Sequence, residues 1–235
     1  MQNRRGLFAG MQSGRLSGFV PYKGTKDLPN AGRISRFIRN FVDMKVALCQ
    51  FSMEWEAAAR NLRRAEELVA QAGADLALLP EMFATGFVTE PWRTALPDEE
   101  ELLAWMRRTA RRYATALAGS AVVRSGDRFA NRFFFVRPAG GAERYDKRHL
   151  FSIGGEDAHF VAGRWRVVVE YGGLRFLPLV CYDLRFPVWC RCRSDYDAIL
   201  CVASWPAPRR EVWRTLLRAR AIENQCYVVG VNRTG

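Results

Sequence analysis

The chain alternates short apolar runs with longer amphipathic ones. Lys45 to Phe51 reads as a strand, Trp55 to Gln71 as a helix with one apolar face, and Asp75 to Leu79 as the next strand. Asp98 to Tyr113 predicts a second helix, with acidic residues in its first turn and arginines later, as the helix dipole favours. Paired strands follow. Leu117 to Arg124 and Phe129 to Val136 are joined across Ser125-Gly126-Asp127, and another turn falls at Pro138 to Gly141. Arg166 to Tyr171 and Leu174 to Val180 flank Gly172-Gly173, a strong hairpin signal. A strand over Asp197 to Ala203, a helix over Pro208 to Asn224 and a strand over Cys226 to Val231 complete the pattern. Hairpins between helical units predict an α/β fold with mixed sheets, not an all-parallel one. There is no internal repeat and no low-complexity linker.

Within this pattern three positions can carry linked chemistry. Cys181 follows the apolar run Leu174 to Val180 and precedes Tyr182-Asp183-Leu184-Arg185-Phe186-Pro187, which reads as a turn into a new segment. A thiol at a strand end and helix start meets backbone N–H groups and a positive dipole end. Both are expected to lower its pKa and to leave donors for an oxyanion. Taken alone, each of Cys49, Cys181, Cys190, Cys192, Cys201 and Cys226 reads first as a small buried hydrophobe. Glu81 comes just after Leu76-Ala-Leu-Leu-Pro80, where the proline ends the ladder for want of an N–H. Its carboxylate should therefore emerge at a strand's carboxyl end, where open α/β sheets place ligands. Lys147 ends a third short strand. A thiol nucleophile needs a base for its proton and a cation for the oxyanion; Glu81 and Lys147 supply that pair.

The segments Pro80-Glu-Met-Phe-Ala-Thr-Gly-Phe87, Tyr145-Asp-Lys-Arg-His-Leu-Phe151 and Val180-Cys-Tyr-Asp-Leu-Arg-Phe-Pro187 resemble the three signature segments of the nitrilase (carbon–nitrogen hydrolase) superfamily. Ala203 to Pro206 and Trp213 to Gly235 resemble its omega-amidase branch, and the resemblance covers about Met44 to Gly235. It implies a face-to-face pair of mixed sheets with helices outside, an α-β-β-α sandwich, and a Glu–Lys–Cys triad carried by Glu81, Lys147 and Cys181. Glu156 is the positional match for the second active-site glutamate, its bland alternative being a loop carboxylate paired with an arginine. The implied reaction is hydrolysis of an open-chain ω-amide of a 2-oxo dicarboxylic acid, such as 2-oxoglutaramate. It runs through a Cys181 thioester, with the Tyr182 N–H beside Lys147 at the oxyanion. Arg148 and Arg185 are candidates to anchor a substrate carboxylate or, alternatively, braces of the site. Phe87 and Trp205 either wall the pocket or fill the core.

Residues 1–43 lie ahead of the family's usual start, matched by Met44-Lys-Val-Ala47, and the 44–235 hydrolase domain follows. This extension holds eight Lys/Arg against Asp27 and Asp43, a net of +6 within the chain's +12. Ile34, Phe37, Ile38, Phe41 and Val42 predict a short basic amphipathic helix there. A start read too far upstream, an appendage and a targeting segment are the competing readings. At the other end the family pattern ordinarily continues for tens of residues past Gly235, so the C-terminal part of the domain is expected to be missing. The chain has no apolar run long enough to span a bilayer, and its unpatterned cysteines predict a reducing, cytoplasmic setting. Two histidines and the spacing of Cys190 and Cys192 argue against a metal site, and no cofactor is expected. A homodimer is expected if the C-terminal part is present. Four alternatives stay open: a carbamoylase or a nitrilase with the same triad, an inactive truncated scaffold, and a nucleic-acid-binding protein motivated by the net charge. No binding motif supports the last, so no nucleic-acid partner is expected.

Overall fold

The structure, a computed structural model, describes residues 43–93 and 98–235. The extension and its expected helix thus lie outside the described residues, Asp43 excepted. Among the described residues nine strands form two sheets. The first contains β1 (Val46–Leu48), β2 (Leu76–Leu78), β3 (Ala116–Ser125), β4 (Arg128–Val136) and β5 (Ala142–Asp146) in that order. Its first three strands are parallel and its last three antiparallel. The second sheet has the order β6 (Val169–Tyr171), β7 (Leu174–Val180), β8 (Ala198–Ala203) and β9 (Tyr227–Asn232). Here only the β6–β7 pair is antiparallel.

Alternation along the strands builds the layers. Leu76, Leu78, Ala116, Ala118, Phe133 and Phe135 pack with Phe176, Val180 and Leu200 in a core between the sheets. The intervening residues Ala77, Leu79, Leu117, Phe134 and Val136 pack with Ala65 and Val69 of α1 (Ala58–Ala72) and with Leu102, Leu103 and Met106 of α2 (Glu99–Arg112). Neighbouring phenylalanines of β4 therefore serve two cores, each burial contributing about 1.5–3 kcal/mol. On the far side of the second sheet, Trp213 and Leu217 of α5 (Arg210–Asn224) close over Gly230 of β9, and with Leu216 they continue the same apolar cluster through the sheet. The expected α-β-β-α order is present.

The elements also depart locally from the sequence pattern. Glu56 adopts a left-handed conformation (φ 62°), so α1 begins at Ala58, not Trp55, and ends on left-handed Gly73. Asp98 caps α2 through its carboxylate on the Glu100 N–H, with Arg111 and Arg112 in the last turn. β6 starts at Val169, three residues late, because the Arg166 guanidinium is drawn out to Asp195. Gly172 and Gly173 both have positive φ, the backbone that a two-residue hairpin of type I′ requires. Pro178 sits inside β7 without breaking it, since β6 pairs only with Leu174 to Phe176 and leaves the Pro178 side open.

Candidate active site

Glu81, Lys147 and Cys181 start from three different strands and meet between the sheets. β2 delivers Glu81 just past Pro80, and the Glu81 N–H reaches the Ala203 carbonyl at the end of β8 (3.4 Å). β5 delivers Lys147, whose backbone N–H bonds the Asn131 carbonyl of β4 at 2.9 Å. The loop after Lys147 returns at Gly163, where an added Cβ would lie 2.0 Å from the Asp146 carbonyl oxygen; only glycine fits. Glu156 opens the short helix α3 (Glu156–His159) after left-handed Gly155, and its side chain turns inward. The side chains of Glu81, Lys147 and Glu156 are wholly buried.

Lys147 Nζ lies 2.8 Å from Glu81 Oε1 and 2.8 Å from Glu156 Oε2. Asn131 Nδ2 donates to Glu81 Oε1 at 2.9 Å and to Glu156 Oε1 at 3.0 Å. The Ser204 N–H fills Glu81 Oε2 at 2.9 Å, and the Phe151 N–H fills Glu156 Oε2 at 2.7 Å. A carboxylate offers about four acceptor positions, two on each oxygen. On Glu81, Oε1 is therefore full and Oε2 keeps one position open to a proton from Cys181, whose thiol lies near enough to feel the Glu81 charge. An ammonium has three donors, so Lys147 keeps one N–H beyond its two carboxylate bonds.

Burial alone would lower the Lys147 pKa, but the charges of Glu81 and Glu156 overcome it and hold the ammonium above its ordinary range. Cys181 goes the other way from the sequence expectation. Burial pushes its thiol well above the ordinary value, the Glu81 charge adds to the rise, and Lys147 opposes it. Two anions and one cation already leave the cluster at a net charge of −1. A free thiolate would add a second uncompensated charge in a dry site. Sulfur can thus become a nucleophile only as Glu81 receives its proton.

The segment after β7 is a five-residue 3-10 turn, Cys181–Arg185, which leads into α4 (Pro187–Cys190), one turn long. Cys181 is left-handed (φ 47°), an unfavourable state for a residue with a side chain. Asp183 holds it. Its buried carboxylate accepts from the Val180 N–H (3.0 Å), the Tyr145 hydroxyl (2.8 Å), and the His149 N–H (2.9 Å) and Nδ1 (2.8 Å). Burial and the Asp183 charge raise the Tyr145 pKa, which keeps that hydroxyl a donor. The first N–H groups of a helical turn have no acceptor within it, so the Tyr182 N–H is available at the sulfur.

Comparison with known proteins settles the family. The carbon–nitrogen hydrolase profile matches residues 45–235. The chain belongs to the carbon–nitrogen hydrolase family. It is 49% identical over 193 residues to the omega-amidase YafV of Yersinia enterocolitica, covering 82% of this chain and 75% of that one. It is 32% identical over 197 residues to the 2-oxoglutaramate amidase of Bacillus subtilis, covering 81% and 76%. Among solved structures it resembles XC1258 of Xanthomonas campestris, a CN-hydrolase superfamily protein with an arsenic adduct in its active site. The TM-score is 0.78 at 42% identity, over 82% of this chain and 76% of that one. The expected nitrilase-like sandwich is thereby established. Among the described residues no helix is long and apolar enough to cross a membrane.

The remaining sequence candidates of this hydrolase divide into an aromatic wall and two arginines. Phe87 lies under Lys147 Nζ (5.8 Å) and meets Phe151, which in turn meets Tyr182 (centroids 6.5 and 5.2 Å). Arg185 sits over Tyr182 and over Trp205, at 5.9 and 5.3 Å, and has no carboxylate partner among the described residues. Trp205 is itself fixed by Asn232, through the Trp205 N–H (2.6 Å) and carbonyl (3.0 Å). Arg148 instead donates to the Gly163 carbonyl at 3.1 Å and lies over Trp189. Asn131 and Asp183 were not singled out by sequence reasoning. Each had a signal: an amide inside the apolar strand Phe129 to Val136, and a carboxylate two residues after the candidate nucleophile.

Proposed function

We propose that this hydrolase is a thiol-dependent amidase acting on the ω-amide of a short 2-oxo dicarboxylate, 2-oxoglutaramate or a near analogue. The observation that carries the reading is the buried Glu81–Lys147–Glu156 cluster, whose Glu81 and Lys147 charges act on the buried Cys181 thiol. In the first half-reaction, Glu81 takes the sulfur proton as Sγ bonds to the amide carbon. The carbonyl electron pair moves to oxygen, which the spare Lys147 N–H and the Tyr182 N–H stabilise. Glu81 then gives the proton to the amide nitrogen, the C–N bond breaks, and ammonia leaves a thioester. In the second half, water loses a proton to Glu81 and attacks the thioester. The C–S bond breaks, and the proton returns to sulfur. Glu156 fixes the ammonium: its Oε2 accepts from Lys147 and the Phe151 N–H, and its Oε1 accepts from Asn131.

The substrate assignment draws on the resemblance to an omega-amidase and a 2-oxoglutaramate amidase. It also draws on Arg185, a cation over the Tyr182 and Trp205 rings with no carboxylate partner among the described residues. Of the two candidate anchors, Arg185 is the one we assign to the substrate carboxylate, while Arg148 braces the loop at Gly163. Phe87 and Trp205 wall the pocket. The same proposal places residues 1–43 outside the 44–235 hydrolase domain, the protein in the cytoplasm, and its assembly as a homodimer without nucleic acid. The six free cysteines support a reducing compartment.

The test is ammonia release from a panel holding 2-oxoglutaramate, a simple neutral amide, an N-carbamoyl compound and a nitrile. The proposal expects 2-oxoglutaramate to have the highest kcat/KM. R185M should raise its KM about 10- to 100-fold, the range of a lost charge-assisted hydrogen bond or two, and leave the neutral amide within a few-fold. Preferred turnover of the nitrile or the N-carbamoyl compound would overturn the substrate assignment.

A further inference from the structure

Asn131 belongs to none of the roles above, yet it touches three residues of the site, Glu81, Glu156 and Lys147. Its amide nitrogen bonds both glutamates, and its backbone carbonyl holds the Lys147 N–H. Resting on the proposed site, we infer that Asn131 is a positioning residue that selects which oxygen of Glu81 acts as the base.

Strand packing does not call for an amide here. Asn131 is wholly buried in β4, between Ala130 and the run Phe133 to Phe135, where an aliphatic side chain would pack without polar obligations. Its Oδ1 is buried with no hydrogen-bond partner. An orphaned buried acceptor is destabilising, and the opposite amide orientation would set oxygen against two carboxylate oxygens. The side chain is thus oriented for the glutamates and against its own acceptor.

The count of acceptor positions shows what this achieves. Without the Asn131 donor, Glu81 Oε1 would carry only Lys147 and Oε2 only Ser204, leaving one open position on each. The proton of Cys181 would then have two destinations, and the carboxylate torsion, which is broad for a glutamate, would have lost a restraint. With Asn131 in place the one open position is on Oε2. A lysine or arginine here would also restrain the carboxylates, but it would cancel the net −1 charge that makes Glu81 a willing acceptor. A neutral two-donor fork restrains without neutralising. The charged and titratable groups around it are Glu81 after β2, Lys147 after β5, Glu156 on α3 and Cys181 after β7.

The experiment compares N131A and N131D with the wild-type chain on 2-oxoglutaramate across pH 6 to 8, with folding checked by circular dichroism. N131A should lose about 10²- to 10³-fold in kcat, with KM within about three-fold, as expected for misplaced general-base chemistry. N131D is isosteric, so it carries the test if N131A does not fold. When ionised it has no donor and faces two carboxylates; when protonated it regains one donor. Its activity relative to wild type should therefore rise about ten-fold from pH 8 to pH 6, while the N131A ratio stays flat. A merely structural role would move neither ratio with pH. Activity of N131A within three-fold of wild type, or a flat N131D ratio, overturns the inference. Failure of the wild-type chain to release ammonia would instead overturn the proposed function, so the two outcomes are distinct.

Discussion

Removing Lys147 should leave two buried carboxylates without their cation. K147M keeps the length and volume of the side chain but leaves Glu81 and Glu156 facing each other, fully buried, with Asn131 as their only shared donor. Deleting one partner of a buried ion pair costs about 3–5 kcal/mol. That is a large part of the roughly 5–15 kcal/mol that holds a domain together. With a urea slope of about 1–3 kcal/mol per molar, the unfolding midpoint should fall by about 1–5 M. The pH dependence adds a second signature. In the wild-type chain the raised Lys147 pKa means its stabilisation is complete below the unfolded value of 10.5 and is lost only in strong alkali. In K147M the folded state takes up a proton to separate its two anions. It then binds more protons than the unfolded chain near neutrality, so its stability falls as pH rises. Urea unfolding followed by tryptophan fluorescence at pH 5.5 and 8 should show a deficit that is larger at pH 8. A deficit below about 1 kcal/mol, equal at both pH values, would refute the ion-pair account.

Other consequences follow from the same cluster. Because the Glu81 charge raises the Cys181 pKa, E81Q should speed thiol alkylation by neutral iodoacetamide at pH 8 while slowing amide hydrolysis by about 10²- to 10⁴-fold. Peptide mass mapping and ammonia assays measure the two rates, and a parallel loss of both would contradict the base role. D183N places an amide NH₂ against donors that now share a carboxylate, so thermal unfolding should show a loss of at least about 2 kcal/mol. No change in unfolding would show that Asp183 does not hold the left-handed Cys181.

Much of this was legible in the chain before any coordinates. Leu174 to Val180 has the bounds read from its apolar run, and Gly172-Gly173 is the hairpin turn that its glycines specify. Glu81, Lys147 and Cys181 were each placed by a local signal and Glu156 by the family resemblance, and the structure brings all four together. What local pattern could not convey was the sum of charges at their meeting point. A strand end and a turn argue for an acidic thiol, but burial and a neighbouring carboxylate act across the two sheets and prevail. Asn131 was passed over for a related reason, since its partners are contributed by residues 50 and 25 positions away. The late start of α1 depends on the backbone of Glu56, a single residue whose sequence carries no helix-breaking mark.

The central claim is that carbon is transferred from nitrogen to one particular sulfur. Acid-quenched samples taken during turnover of 2-oxoglutaramate, digested and weighed by mass spectrometry, test it directly. The account predicts the acyl increment on the peptide carrying Cys181, its disappearance on adding hydroxylamine, and no ammonia release by C181A. An increment on Cys49, Cys190 or Cys201, or undiminished ammonia release by C181A, would contradict it.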